Sequence, residues 1–465
     1  MTSVARRGYF DAPWSIFVAW CGAFLGTWFV LTSVFAIGIR KLPEAIYNSD
    51  LVMGFMVMRD VFRDPVAIFD WQLSPAIYAF PDWTLIAALE LTPIPRVWNP
   101  LIYCGILTTI DAFAVAWMFR EARLTGRVSS ILLAVAVFGG LFLLGAASPS
   151  GMGIRMLFFT CTSYIHSGAI MSGLLLIPLL AKVFQTEGSV RWLLLGLAAV
   201  LIGLASYSDT LFVVWFLVPV CAAYCLNHTA LGFLKKFFVC CVLIGLGIGG
   251  IALDRLRYPA HGIATDVGVA MKVFGQSFIK SFSAGQWPIY IGVIVGVVML
   301  GRAVILIFSR RARDSARADS IELAIVMCNA SALLVTIVTG AFNHDSAYRY
   351  ALPMFLLPYV WTTFVLLRFR PGGFHLRNRY ILVAGLLIAA LVVPRGVKAM
   401  RSVTEPSAQV VELRAGFDDR IRRLLEHEKH DLQVELRNSR HSVDGSMPSY
   451  DVRGESEMVL SSRGR

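Results

Sequence analysis

Charge is scarce in this chain. Asp, Glu, Lys and Arg make up 15% of the residues and apolar side chains 57%, where a soluble domain carries about 25% charge. That shortage excludes an ordinary water-soluble globule. Nucleotide and hydrolase signatures are missing too: there is no Walker loop, no dinucleotide fingerprint, no HExxH and no nucleophile elbow. A primary ATP-driven pump and a soluble-type hydrolase are thereby disfavoured. The eight cysteines, Cys21, Cys104, Cys161, Cys221, Cys225, Cys240, Cys241 and Cys328, all fall in or beside apolar runs. They read as small buried hydrophobes. Cys221 and Cys225 share a helix face, but no His or Cys partner is spaced to complete a zinc site. Neither a solenoid-period repeat nor a clear inverted repeat is present.

What the chain has in abundance is long apolar runs. The mean hydropathy is +0.67. Runs of about 18 to 22 residues are separated by short Arg/Lys clusters, the pattern of an all-α polytopic membrane bundle. The net charge of +12 does not point to nucleic acid. The basic residues sit between hydrophobic runs, and no basic patch is interleaved with aromatics. The runs predict about eleven spans, near 14–38, 98–118, 128–147, 166–184, 192–206, 210–226, 236–253, 287–308, 321–340, 350–367 and 379–394. The first follows Arg6 and Arg7 and is too long for a signal-peptide core, so it reads as a retained signal anchor. Trp83–Leu91 is apolar but short, and Pro93 and Pro95 close it, which predicts a re-entrant or interfacial helix.

Basic loops fix the expected orientation. Arg6/Arg7, Arg120/Arg123/Arg127, Lys182/Arg191, Lys235/Lys236, Arg310/Arg311/Arg313/Arg317 and Arg368/Arg370/Arg377/Arg379 fall on every second side. That side is expected to be cytoplasmic, together with the N-terminus. The opposite side receives the large first loop, 39–97, with the 148–165, Ser206–Thr210, 254–286 and Ala341–Arg349 loops. The last span is short, and Arg395, Lys398 and Arg401 follow it. If it crosses, the tail is periplasmic; if not, cytoplasmic. The chain therefore divides into a membrane domain, 1–394, and a short polar tail, 395–465. Val410, Leu413, Phe417, Ile421 and Leu424 predict one amphipathic helix in that tail, packed on the membrane domain or a partner. The Ser-rich end after Asn438 is expected to be disordered.

This orientation gathers the distinctive polar groups on the extracytoplasmic side. Ionisable groups at such depths are costly unless paired or facing a wet cavity. Asp50, in Tyr47-Asn48-Ser49-Asp50, precedes the helix-friendly run Leu51–Phe62. It fits two roles, a helix cap and a base that takes a proton from an acceptor hydroxyl. Asp64-Pro65 and Asp70-Trp71 have the chemistry of turns and helix starts. Asp82, in Pro81-Asp82-Trp83, reads as a cap or as a site residue. Asp209 either caps the next helix or lines a cavity opposite Asp50. His166 heads the fourth span as a hydrogen-bonded cavity histidine. His344, Asp345, Tyr348 and Arg349 crowd one short loop. Arg349 suits a phosphate, whose oxygens its planar fork binds in pairs, and snorkelling or ion pairing fits it equally. Arg255, Arg257, Lys272 and Lys280 make the 254–286 loop basic, fit for a lipid phosphate or anionic headgroups. Asp111 lies inside the second span and needs a partner that the sequence does not name. No metal-ligand set is evident.

On these features the membrane region resembles the GT-C superfamily of polytopic glycosyltransferases fed by polyprenyl-phosphate sugars. The shared layout is one span, a large first external loop with an acid soon after that span, interfacial helices, many spans and a trailing polar segment. The resemblance implies that Asp50 is the catalytic base, with Asp64 or Asp70 as second acids, and that Arg349 belongs to the lipid-phosphate site. Many members carry adjacent acids where this chain has Asn48 and Ser49, so a divalent cation stays open. The expected activity is transfer of a sugar from a polyprenyl-phosphate donor to a glycan or lipid acceptor outside a bacterial inner membrane. Asp50 and Asp209 are then the catalytic candidates. Asp64, Asp70, Asp82, His166, His344, Asp345, Tyr348 and Arg349 are the substrate-binding ones. A transporter or lipid flippase is the alternative, and a non-catalytic assembly protein a third.

Overall fold

The computed structural model describes residues 13–14, 16–22, 25, 58, 61–62, 78–94, 99–147, 166–226, 232–257, 287–308, 316–340 and 352–369. Every regular element among these is helical. A kinked wide turn, Ala79–Trp83, leads into α1, Thr84–Glu90. There follow α2, Asn99–Glu121; α3, Arg127–Ala147; α4, Ser167–Val183; and α5, Ser189–Ser208. A second wide turn, Val213–Leu217, opens α6, Val218–Leu226. Then come α7, Phe233–Arg257; α8, Trp287–Phe308; α9, Ala316–Gly340; and α10, Leu352–Arg368. These helices coincide with the apolar runs from 98 to 367 that the sequence marks as spans, shifted by a few residues. The first and last expected spans and the polar tail lie largely or wholly outside the described residues.

Four helices are long and apolar enough on their own to cross a membrane: Ile102–Glu121, Ser189–Ser208, Phe233–Leu253 and Ala318–Thr336. They differ in surroundings. About two thirds of the first and last windows is buried in protein, against about a quarter of the other two. Accordingly α5 exposes Trp192, Leu193, Leu197, Val200 and Leu204, and α7 exposes Phe237, Phe238, Val242, Ile248 and Leu253. Contiguous apolar surface of this extent is what a helix shows to lipid.

The core is built round α4. Nearly every residue from Ser167 to Val183 is buried, including Ile170, Leu174, Ile177 and Leu180. It packs between α2 and α5, with α9 behind. Close approach needs small residues where α7 crosses α5. A Cβ on Gly250 would lie 2.9 Å from Ser206 Cβ and 3.0 Å from Tyr207 N, so glycine lets the two backbones touch.

The two ends of the bundle differ in charge. At one end Glu121 meets Lys182 at 3.6 Å. There Glu322, fully buried, takes Arg302 Nε at 2.8 Å and also pairs with Arg368, which reaches Asp319 as well. Both guanidiniums lie over the Phe369 ring. This ionic knot ties the C-terminal ends of α8 and α10 to the first turns of α9. The opposite end holds His166, Asp209 and Asp82.

Candidate functional site

Three backbone segments meet at that second end. His166 stands just before α4 with φ +61°, and Tyr78 stands just before the first wide turn with φ +51°. Non-glycine residues in this left-handed region are uncommon and cluster where surrounding structure forces them. Here the force is mutual docking. Tyr78 N–H donates to Ser208 O at 3.1 Å. Phe80 N–H donates to Ser208 Oγ at 2.9 Å, and the same hydroxyl donates to Phe80 O at 2.9 Å. The 78–83 segment is thus bonded to the end of α5. It also presses on the start of α4: a Cβ at Gly168 would fall 2.5 Å from Pro81 Cδ and 2.9 Å from Phe80 O.

Asp209 follows α5 with extended backbone, φ −150° and ψ 113°. Its N–H still closes the helix on Ala205 O at 2.8 Å. Its two carboxylate oxygens do different work. Oδ1 accepts the N–H of Leu211 at 3.0 Å, and Oδ2 lies 2.7 Å from His166 Nδ1. One oxygen thus bonds the backbone at the start of the next helix and the other makes a tertiary contact to His166, while Asp50, which the sequence placed opposite, lies outside the described residues. His166 is 8% exposed and Asp209 4%. The imidazole is flanked edge-on by Tyr78 at 5.5 Å and Trp215 at 5.7 Å. These rings fix its plane and exclude water from the pair, which strengthens the Coulombic interaction.

Asp82 is also buried, and its carboxylate accepts the hydroxyl of Tyr103 on α2. No side-chain cap bond forms at the start of α1. Asp82 thus serves a tertiary contact where the sequence reads most simply as a cap. Tyr103 is itself fully buried and also engages Ser167, so the Asp82 and His166 contacts adjoin at the head of α4. Two indole N–H donors, Trp83 Nε1 and Trp215 Nε1, are buried without a hydrogen-bond acceptor.

The structure therefore brings Asp82, His166 and Asp209 to one end of the bundle. Asp50, Asp64, Asp70, His344, Asp345, Tyr348 and Arg349 lie outside the described residues, as do Lys272 and Lys280. Tyr78, Tyr103, Ser208 and Trp215 were not singled out from sequence. Ser208 sits one residue before Asp209, in a turn whose polar density was legible. Tyr103 and Trp215 lie inside apolar runs, where nothing separates a site aromatic from a core aromatic. Among the described residues no three His, Cys, Asp or Glu side chains converge to hold a metal ion.

No family model, curated protein or solved structure matches the chain. The functional reading rests on the site itself. The Asp209 carboxylate holds the His166 ring in one orientation through Nδ1.

Proposed function

We propose that this chain is a membrane glycosyltransferase that moves a sugar from a polyprenyl-phosphate donor to a cell-envelope glycan or lipid acceptor. The observation that carries the reading is the buried His166–Asp209 pair, seated under the 78–83 segment at one end of an apolar helical bundle. In this reading the chain has about eleven spans in a bacterial inner membrane, with its N-terminus cytoplasmic and the His166 end outside. The tail 395–465 is periplasmic.

The reaction is a single inverting displacement. The acceptor oxygen bonds to the anomeric carbon as the bond from that carbon to the phosphate oxygen breaks. Polyprenyl phosphate leaves, and Asp50 takes the acceptor hydroxyl proton. His166, oriented by Asp209, donates a hydrogen bond to the leaving phosphate, and Arg349 supplies a cationic contact. Asp82, bonded to Tyr103, holds the segment that roofs the site. Asp64, Asp70, His344, Asp345 and Tyr348 complete the substrate-binding face in this assignment. No step is routed through a divalent cation.

Transport or lipid flipping is the second reading, and Asp111 in the middle of a span favours it. One experiment separates the two. Reconstituted protein is given a radiolabelled polyprenyl-phosphate sugar and an envelope extract as acceptor. Transfer by the wild type, reduced at least about 100-fold in Asp50→Asn and His166→Gln with donor binding kept, supports the transferase. Movement of intact donor across the vesicle without sugar release replaces it with transport. Equal sugar release by all three proteins removes the site assignment.

A further inference from the structure

Cysteines from two helices meet where α6 gives way to α7. A lone buried thiol packs as a small hydrophobe, but here a second sulfur lies within bonding reach. Cys221 and Cys225 stand one turn apart on α6, and Cys240 stands in the first half of α7. The two helices pack on each other across the 227–232 connection. The Cys240 thiol donates to Cys221 O at 3.6 Å. The Cys225 thiol hydrogen-bonds the Cys240 sulfur. All three are free thiols. A disulfide needs two sulfurs brought together with little backbone movement, and this contact brings them together.

The two sulfurs differ in access. Cys240 is 2% exposed, whereas Cys225 is half-buried. A small reagent therefore meets Cys225 first, with Cys240 behind it. Lys236, one turn before Cys240 on α7, is buried as well, and its ammonium donates to Tyr224 O at 3.3 Å. It lies within electrostatic reach of both thiols. An ammonium beside a thiol favours the reactive thiolate, and apolar burial opposes it. The pair is therefore expected to react more slowly than an exposed cysteine. Among the described residues no three ligands converge to hold a metal ion, which leaves the chemistry of two sulfurs.

We propose that Cys225 and Cys240 form a redox modification site, a dithiol that a hydroperoxide converts to a disulfide joining α6 to α7. The Cys225 sulfur takes the terminal oxygen of the peroxide as the O–O bond breaks. The rest of the peroxide leaves with the thiol proton, as an alcohol or as water, and Cys225 becomes a sulfenic acid. The Cys240 sulfur then bonds to the Cys225 sulfur as the S–O bond breaks, and the oxygen leaves with the Cys240 proton as water. The two thiols lose two electrons together, and the peroxide gains them. The inference is independent of whether the His166 site transfers sugar and of which side of a membrane this end faces.

The test uses the whole reduced protein in liposomes and reads mass rather than activity. Hydrogen peroxide is added, the remaining thiols are capped with N-ethylmaleimide in denaturant, and unreduced peptides are sequenced by mass spectrometry. The expected product is the Cys225 peptide joined to the Cys240 peptide, lighter than their sum by two hydrogens and separated by dithiothreitol. Fragment spectra assign the bridge among the neighbouring cysteines. Cys240→Ser should abolish the joined product and leave Cys225 as a sulfenic acid that a 1,3-dione traps. Cys241→Ser, which changes the exposed neighbour of Cys240, should leave the link intact. A bridge from Cys225 to Cys221 or Cys241 overturns the proposal. So does wild-type Cys225 oxidised to the sulfinic acid with Cys240 still capped. A Cys225–Cys240 pair fully capped by maleimide after the exposed Cys21 has been oxidised overturns it equally.

Discussion

Asp209 divides its two oxygens between a backbone N–H and an imidazole, and the division makes its two roles separable. Asparagine caps a turn about as well as aspartate but carries no charge to hold His166. Asp209→Asn is therefore expected to lower sugar transfer about 100-fold or more with little change in thermal unfolding in detergent. Asp209→Ala should lose the same activity and a further ~1 kcal/mol of stability with the cap. If Asn retains full activity, the pair is structural. Glu90 gives a different residue-scale outcome. Burial pushes its carboxyl above the usual range, and the bond from Asn99 opposes that push. A folded-state pKa above the unfolded one stabilises the protein fully below the unfolded value. That contribution is lost as pH rises through the raised value. Melting curves from the ordinary carboxylate range upward should therefore decline less in Glu90→Gln than in the wild type.

At the scale of elements, the helices are held in place by polar contacts at their ends while apolar packing fills between. The 78–83 segment keeps its seat through Ser208 and through the absence of a Cβ at Gly168. At the other end, α8, α9 and α10 converge on Glu322, which is buried between Arg302 and Arg368. Removing one member of such a cluster leaves an uncompensated buried charge. Glu322→Ala is expected to cost about 3–5 kcal/mol, read as loss of monodisperse protein in size-exclusion chromatography. Replacement of Glu322, Arg302, Arg368 and Asp319 together, the carboxylates and guanidiniums by apolar residues of similar volume, should recover much of that loss. Failure of this variant to recover would mean that the cluster has a role beyond neutralising its own charges.

For the molecule as a whole, the exposed apolar faces of α5 and α7 suit a lipid surround, and the proposed function puts the His166 end outside. The test of that orientation is accessibility. In a background lacking the native cysteines, Asp50→Cys should react with a membrane-impermeant maleimide in intact cells. Arg123→Cys, in the loop between α2 and α3, should react only after permeabilisation. The reverse pattern would invert the topology and remove the His166 site from the outer face.

The apolar runs were legible because a bilayer demands about 20 apolar residues per crossing, a constraint that four of the described helices meet on their own. So the sequence by itself determined the helical class, the positions of the helices from Asn99 to Arg368 and the spacing of the basic loops. His166, Asp209 and Asp82 were legible as candidates because polar groups at the ends of apolar runs need partners. Which partners they took was a matter of tertiary structure alone. His166 and Asp209 are 43 residues apart, and Phe80 and Ser208 128 apart. No local periodicity encodes such pairings, since they depend on how α4 and α5 pack. The same packing buried Tyr103 and Trp215 at the site and closed Arg302, Glu322 and Arg368 into a knot. An apolar helix face looks alike in sequence whether lipid or an aromatic ring lies against it.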